Sequence, residues 1–217
     1  MFGIEQEAWQ IFLLTVYVAA TSTAISALIG IPLGALLGLH DSRLRRLFRI
    51  FTHTMYGVPS VIVGLLVYML LSRAGPLGEL GILFTPSAMI VAQVFLITPL
   101  IIGLTASAVL AVPKETKETA LSLGASKPQL VLAVIKESRI GMLNAIMVGF
   151  GRGVSEVGAA ILVGGNIRWF TRVLTTAILL ETEKGNFQFA LMLGGLLFLL
   201  SLSVSLIITV LQRGEKK

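Results

Sequence analysis

Two ionisable side chains, Arg152 and Glu156, stand in an otherwise uncharged stretch from Leu143 to Gly164 of this 217-residue chain. Four residues apart, they share one face of an α-helix and can pair, although Arg before Glu is the weaker order on a helix. An ionised group at the centre of a bilayer costs at least ~2.5–3.5 kcal/mol, so that face points at protein or at water. Ser155 and Gly158 lie close by. Two readings stay open. Either Arg152 eases an anion along a path while Glu156 prevents trapping, or the two form a structural ion pair. Further along, Gly164, Gly165 and Asn166 offer backbone N–H groups for an anion-binding concavity. Arg168 and Arg172 add positive charge there, for an anion or for the acidic face of a delivery protein.

The rest of the sequence excludes much chemistry. Asp41 is the only aspartate, so no aspartate pair exists. His40 and His53 lack H-E-x-x-H spacing, read as interfacial residues, and no metal site is expected. With no cysteine, disulfides, iron–sulfur clusters and thiolate sites are out. Neither a G-x-S-x-G nucleophile turn nor a G-x-x-x-x-G-K-[ST] phosphate loop is present. The chain is not expected to be an enzyme or to carry a cofactor, and any ATP-driven step needs an engine in a partner.

The elements that position these residues are membrane helices. Only 13% of the chain is charged, about half the ~25% usual for soluble domains, and mean hydropathy is +0.91. Five segments reach the roughly 20 apolar residues of a span: about 8–39, 48–71, 86–112, 143–164 and 189–211. The first is too long for a signal-peptide core of roughly 7–15 residues and is read as retained. Pro32, Pro59 and Pro99 fall inside spans, where each removes one helix hydrogen bond and tends to kink its helix, and ordinary packing accounts for them. Gly30, Gly34 and Gly38 recur every four residues, a close-packing signal. The fold class is all-α: one transmembrane domain over 1–217.

Basic residues set the orientation. Twelve lie on one side: Arg43, Arg45, Arg46, Arg49, Lys114, Lys117, Lys127, Lys136, Arg139, Arg213, Lys216 and Lys217. Four lie on the other: Arg73, Arg168, Arg172 and Lys184. The N-terminus is therefore expected outside and the C-terminus inside. The net charge of +6 reflects this topology, and nucleic acid is not an expected partner. The external loop, about 165–188, contains Val173–Leu180, too short to cross. It is either a re-entrant or surface-lying helix over an outer mouth, or an amphipathic loop.

The inner loop, about 113–142, is longer and more polar than a connection requires. A helix from Lys114 ends at Gly124, which takes the left-handed conformation without strain. Ser126 then caps a second helix with Pro128 in its first turn. Ala120, Gly124 and Ala125 are small enough for close approach by a partner. Leu121 and Leu123 supply apolar anchors, and Glu118 and Lys127 supply rim charges.

Glu118-Thr119-Ala120, three residues, Gly124, with Val134 at the later hydrophobic position, resembles the docking loop of ATP-binding-cassette importer permeases. Thr119 replaces the usual first Ala, and Lys136-Glu137 stands where Leu-Pro is common. The Lys-Glu-Ser-Arg run at 136–139 resembles the tungstate branch of the oxyanion importers. So do Arg152 to Arg168, Thr171 to Ile178 and Glu181 to Asn186. Molybdate and sulfate permeases share much of this pattern.

The resemblance implies a homodimeric pore in a prokaryotic plasma membrane. ATPase subunits would dock on Glu118–Lys127, and an external protein would deliver tungstate, or failing that molybdate or sulfate. A secondary transporter or channel without an ATPase explains the spans but not the docking loop. An intramembrane enzyme lacks its catalytic groups. With only Gln212 to Lys217 after the last span, a substrate-sensing cytoplasmic domain is not expected.

Overall fold

The computed structural model describes residues 2–39 and 43–214. His40 and Asp41, and the basic residues Lys216 and Lys217, lie outside the described residues. Among those described, every regular element is helical. α1 (Phe2–Leu39) and α4 (Pro86–Leu110) form the centre. α2 (Arg43–Tyr56) and α3 (Ser60–Leu71) come between them in sequence, and a single 3-10 turn (Gly78–Leu80) precedes α4. α5 (Lys114–Ser122) and α6 (Lys127–Glu137) follow at one end. The chain returns through α7 (Arg139–Val154) and α8 (Gly158–Gly164), then α9 (Leu174–Glu183) and α10 (Phe187–Gly214).

The glycine series makes the central contact possible. A Cβ on Gly34 would stand 2.6 Å from the Ile102 carbonyl oxygen, and one on Gly38 would stand 2.6 Å from Val109 Cβ. Both helix backbones therefore approach closer than any larger residue permits. Polar side chains fasten the same region. Ser22 donates to Gln93 Oε1 at 2.7 Å, and Gln93 Nε2 donates to the Gly153 carbonyl at 3.1 Å, joining α1, α4 and α7. Inside a bilayer such buried groups must find partners within the protein.

Among the described residues, three helical stretches are long and apolar enough to cross a membrane: Glu5–Leu39, Pro86–Leu110 and Phe187–Ile207. The count reaches five only if each of two bent pairs is one crossing. The segment expected as one helix over 48–71 is broken at Gly57–Pro59, and its halves meet at 100°. Pro59 lacks an N–H and disfavours helical backbone at Val58, so the ladder stops instead of kinking. The first half, α2, carries Arg43, Arg45, Arg46 and Arg49 beside exposed Leu47, Phe48, Ile50 and Phe51. That composition is interfacial. Pro32 and Pro99, by contrast, sit inside continuous helices. The expected span over 143–164 is also broken, at Ser155–Val157, with a 59° bend between α7 and α8.

Candidate functional site

The break between α7 and α8 holds the charged pair. α7 ends because Ser155 and Glu156 turn their amides back to Gly151 and Gly153, at 3.1 and 3.3 Å. Arg152 Nη1 donates to Glu156 Oε2 at 2.7 Å. The two do not lie along one helix face, as the spacing predicts; the bond reaches from the last turn of α7 into the break. Glu156 Oε1 accepts from the Ala159 amide at 2.9 Å, in the first turn of α8, where a carboxylate satisfies a free N–H and meets the positive end of the helix. Thr175 of α9 donates to the Glu156 carbonyl at 2.6 Å. The helix order rule therefore does not govern this pair.

Burial separates the partners. The Glu156 side chain is 1% exposed and that of Arg152 is 33% exposed. Ser155 is exposed, and its hydroxyl donates to the Arg152 carbonyl at 3.2 Å. Gly158 belongs elsewhere: a Cβ there would press on Val61 Cγ2 at 2.6 Å, so it serves the packing of α8 on α3.

At the far end of α8, Gly165 (φ +72°) is a left-handed C-cap, and Asn166 follows at φ +50°. The Gly165 amide donates to the Ile161 carbonyl at 2.9 Å, and the Ile167 amide to Thr171 Oγ1 at 2.9 Å. Thr171 in turn donates to the Gly164 carbonyl. One amide of the expected anion concavity, that of Gly165, is therefore engaged within the turn, as is the neighbouring Ile167 amide.

The two arginines are engaged as well. Arg168 grips Glu7 with both Nε and Nη2, at 3.0 and 2.6 Å, and Arg172 Nη1 reaches Glu7 at 3.1 Å. Glu7, near the start of α1, is buried. One carboxylate thus sits against two guanidinium groups, and the positive charge expected there is partly offset from the other end of the sequence. Glu7 raises the Arg168 pKa further, first by hydrogen bonding and then by its charge. Nearby, Glu181 accepts from Lys184 Nζ at 2.8 Å and Asn186 Nδ2 at 3.0 Å. The Lys184 bond is the main cause holding the Glu181 carboxyl below its ordinary value, with Asn186 adding to it and burial opposing it. Of the two readings of 165–188, the structure has a packed helix: Leu174, Thr175, Thr176 and Ala177 of α9 are buried. Among the described residues no three His, Cys, Asp or Glu come together as a metal site.

The α5–α6 pair follows the sequence closely. Leu123 is the C-cap of α5, Gly124 follows at φ +80°, and the amides of Gly124 and Ala125 close onto the carbonyls of Leu121 and Ala120, both at 3.0 Å. This double bond pattern is the Schellman closure. Gln129 Oε1 accepts from the Ser126 amide at 2.8 Å as α6 begins. Glu118, Thr119, Leu121, Ser126 and Lys127 are exposed, Ala120 and Ala125 half-buried, and Leu123 is 82% exposed. Between α6 and the end of α1 runs an apolar groove of about 860 Å³, lined by residues including Leu39, Lys117, Leu130 and Val134.

Sequence reasoning missed Glu7, Gln93 and Thr175. No local pattern connects Glu7 to Arg168 or Gln93 to Gly153. A lone amide in a 25-residue apolar helix is the one signal that pointed at Gln93.

Comparison with known proteins agrees with this architecture. Over 212 residues the chain is 40% identical to the tungstate uptake system permease protein TupB of Peptoclostridium acidaminophilum, covering 98% of this chain and 93% of that one. It is 38% identical over 173 residues to TupB of Campylobacter jejuni, covering 80% and 72%. A more distant relative, 27% identical over 88% of each chain, is the molybdenum transport system permease protein ModB of Azotobacter vinelandii. The fold matches a crystal structure of an amino acid ABC transporter with TM-score 0.75 at 17% identity, covering 98% and 96%. Residues 30–217 match the family described as binding-protein-dependent transport system inner membrane component. The chain therefore belongs to that family, the membrane permeases of ATP-binding-cassette importers, which sets aside a secondary transporter, a channel or an intramembrane enzyme.

Proposed function

We propose that this permease carries an oxyanion inward, with tungstate as substrate. The observation that carries the reading is near-full-length identity of 40% to a protein named as a tungstate uptake permease. Relatives named for molybdenum and for sulfate transport are far less similar, at 27% and 26–28% identity, and molybdate or sulfate is the alternative substrate.

Two copies of the chain form the pore, in a prokaryotic plasma membrane with the N-terminus outside. A separate cytoplasmic ATPase docks on the α5–α6 pair, where Leu121 and Leu123 stand exposed beside Glu118 and Lys127. Exposed leucines rimmed by charged residues mark a surface for contact with another protein. Closure of the ATPase pulls on this pair, and the two permease copies rock between inward- and outward-open states. An external binding protein selects the anion and delivers it to the Gly164–Arg172 end. Arg152 meets the anion on its way through.

The experiment is reconstitution of the permease with its ATPase and binding protein in vesicles. ATP-dependent tungstate accumulation, suppressed by excess molybdate more than by excess sulfate, is expected. Accumulation of molybdate or sulfate in preference to tungstate overturns the substrate assignment, and uptake without the ATPase overturns the coupling.

A further inference from the structure

We infer that one stripe of α7 — Asn144, Val148, Gly151 and Ser155, flanked by Arg152 — lines the aqueous route of the anion. The inference rests on the oxyanion-permease reading and names the residues that form this part of its path.

The exposed positions of α7 after its first residue recur at 144, 148 and 151, and the stripe continues onto Ser155 in the break. Steps of four, three and four trace one stripe on a helix. The opposite side, with Met142, Ala145, Gly149 and Gly153, is buried.

Other exposed faces of the molecule supply the contrast. α3 presents Val61, Ile62, Leu65 and Leu66, and α10 presents Leu191, Phe198, Leu199 and Leu206. These are bulky apolar side chains suited to lipid. α10 also exposes Ser201, Ser203 and Ser205, of which Ser201 and Ser203 donate to carbonyls of their own helix, at 3.0 and 2.8 Å, as Ser155 does to the Arg152 carbonyl. The α7 stripe carries the polar residue Asn144, bare backbone at Gly151 and the guanidinium of Arg152. Among the described residues, only Nη1 of that guanidinium donates to the protein, in a single bond to Glu156. Four of its five N–H donors are left without a protein acceptor. Hydrocarbon cannot satisfy them, whereas water and an oxyanion can.

Sign and depth agree with this role. The Glu156 carboxylate is 1% exposed and committed to Arg152 and Ala159, so the open surface is donor-rich. Its single shared charge attracts an anion without holding it. At 1.5 Å per residue, Gly151 lies about 18 Å along α7 from Arg139, roughly midway through a hydrocarbon core about 30 Å thick. No atom stands within 4 Å of where a Gly151 Cβ would be. The space in front of this glycine is therefore open.

The chain has no native cysteine, so single cysteines can be placed at 144, 148, 151 and 155, with Leu65 and Leu199 as lipid-facing controls. Membranes holding the complete transporter are treated with a small anionic methanethiosulfonate. Labelling at the four stripe positions, none at the controls, and loss of tungstate uptake on labelling at 151 is the expected pattern. Labelling of the stripe only by a membrane-permeant maleimide means it faces lipid and overturns the inference. Spontaneous disulfides between copies at 151 without reagent access mean a dry contact and overturn it too.

Gly151→Leu gives a second readout. It should assemble at normal levels and hydrolyse ATP, yet import tungstate at least about tenfold more slowly, because the side chain fills the route. Normal import by this variant also overturns the inference. Water-accessible labelling in a parent transporter that moves molybdate but not tungstate removes the substrate assignment and leaves the stripe standing.

Discussion

At the scale of single residues, unequal burial of Arg152 and Glu156 makes their mutants unequal. Arg152→Met strands a carboxylate that has almost no access to water, a loss of roughly 3–5 kcal/mol. Glu156→Gln keeps an oxygen for the Ala159 amide and leaves a cation that still reaches the open side, at about 1–2 kcal/mol. Thermal unfolding of the purified complex should therefore rank Arg152→Met as the less stable, with the double variant recovering most of the difference. Equal losses in the two single variants contradict this account. A second residue-scale outcome concerns acid. Glu181 titrates below its ordinary value near 4.5, mainly through its hydrogen bond from Lys184. The charged carboxylate is thus the stabilised form. Its contribution is complete above about pH 4.5 and is lost as pH falls through the lower, folded-state value. Melting temperature between pH 6 and pH 3.5 should fall less steeply in Lys184→Met than in the parent chain. Parallel curves show that the pair does not contribute.

At the scale of elements, Gly124 makes the turn that presents α5 and α6. A side chain there meets no neighbour within 4 Å, so the constraint is φ +80° itself. Forcing a β-branched residue into that region costs at least ~1–2 kcal/mol, and the turn then opens to a different angle. Gly124→Val should insert and assemble normally but lose substrate-stimulated ATP hydrolysis. Undiminished stimulation removes the docking role. This turn was legible in the sequence because its signals are local: a glycine at the helix end, a serine cap, a proline in the next turn. The breaks in the second and fourth expected spans were not. Hydropathy averages over a window and is blind to whether the hydrogen-bond ladder continues. Pro59 read as a kink, and Glu156, which caps α8 from the position before its N-cap Val157, is not one of the residues that ordinarily signal a helix start. The grip of Arg168 and Arg172 on Glu7 was invisible for another reason, because it joins opposite ends of the sequence.

At the scale of the whole molecule, α1 runs the full height of the bundle. Its first turns meet Arg168 and Arg172, and its last residue lies beside α6. The Glu7 end and the Lys127 end therefore occupy opposite faces. The expected orientation puts Glu5 outside and Lys127 in the cytoplasm. A cysteine at Glu5 should react with an impermeant reagent in intact cells, and one at Lys127 only after lysis. The reverse pattern inverts the topology and, with it, the docking proposal. The two solvent-facing ends also differ in build. One is closed by a lattice of ion pairs around Glu7 and Glu181, while the other carries exposed leucines with no cover in the single chain.

The 59° break has a mechanical meaning. Between α6 and α7 only Ser138 intervenes, with its amide on the Val134 carbonyl and its carbonyl on the Met142 amide, each at 3.0 Å. On the docking proposal, force applied to α6 enters α7 through that one residue. At Ser155–Val157 the ladder ends, and α8, braced on α3 through Gly158 and Gly64, starts a separate rod. The joint is pinned by one carboxylate that holds Arg152 on one arm and Ala159 on the other. If the docking proposal holds, Glu156 is the axle about which force from the α5–α6 end would turn α7 against α8.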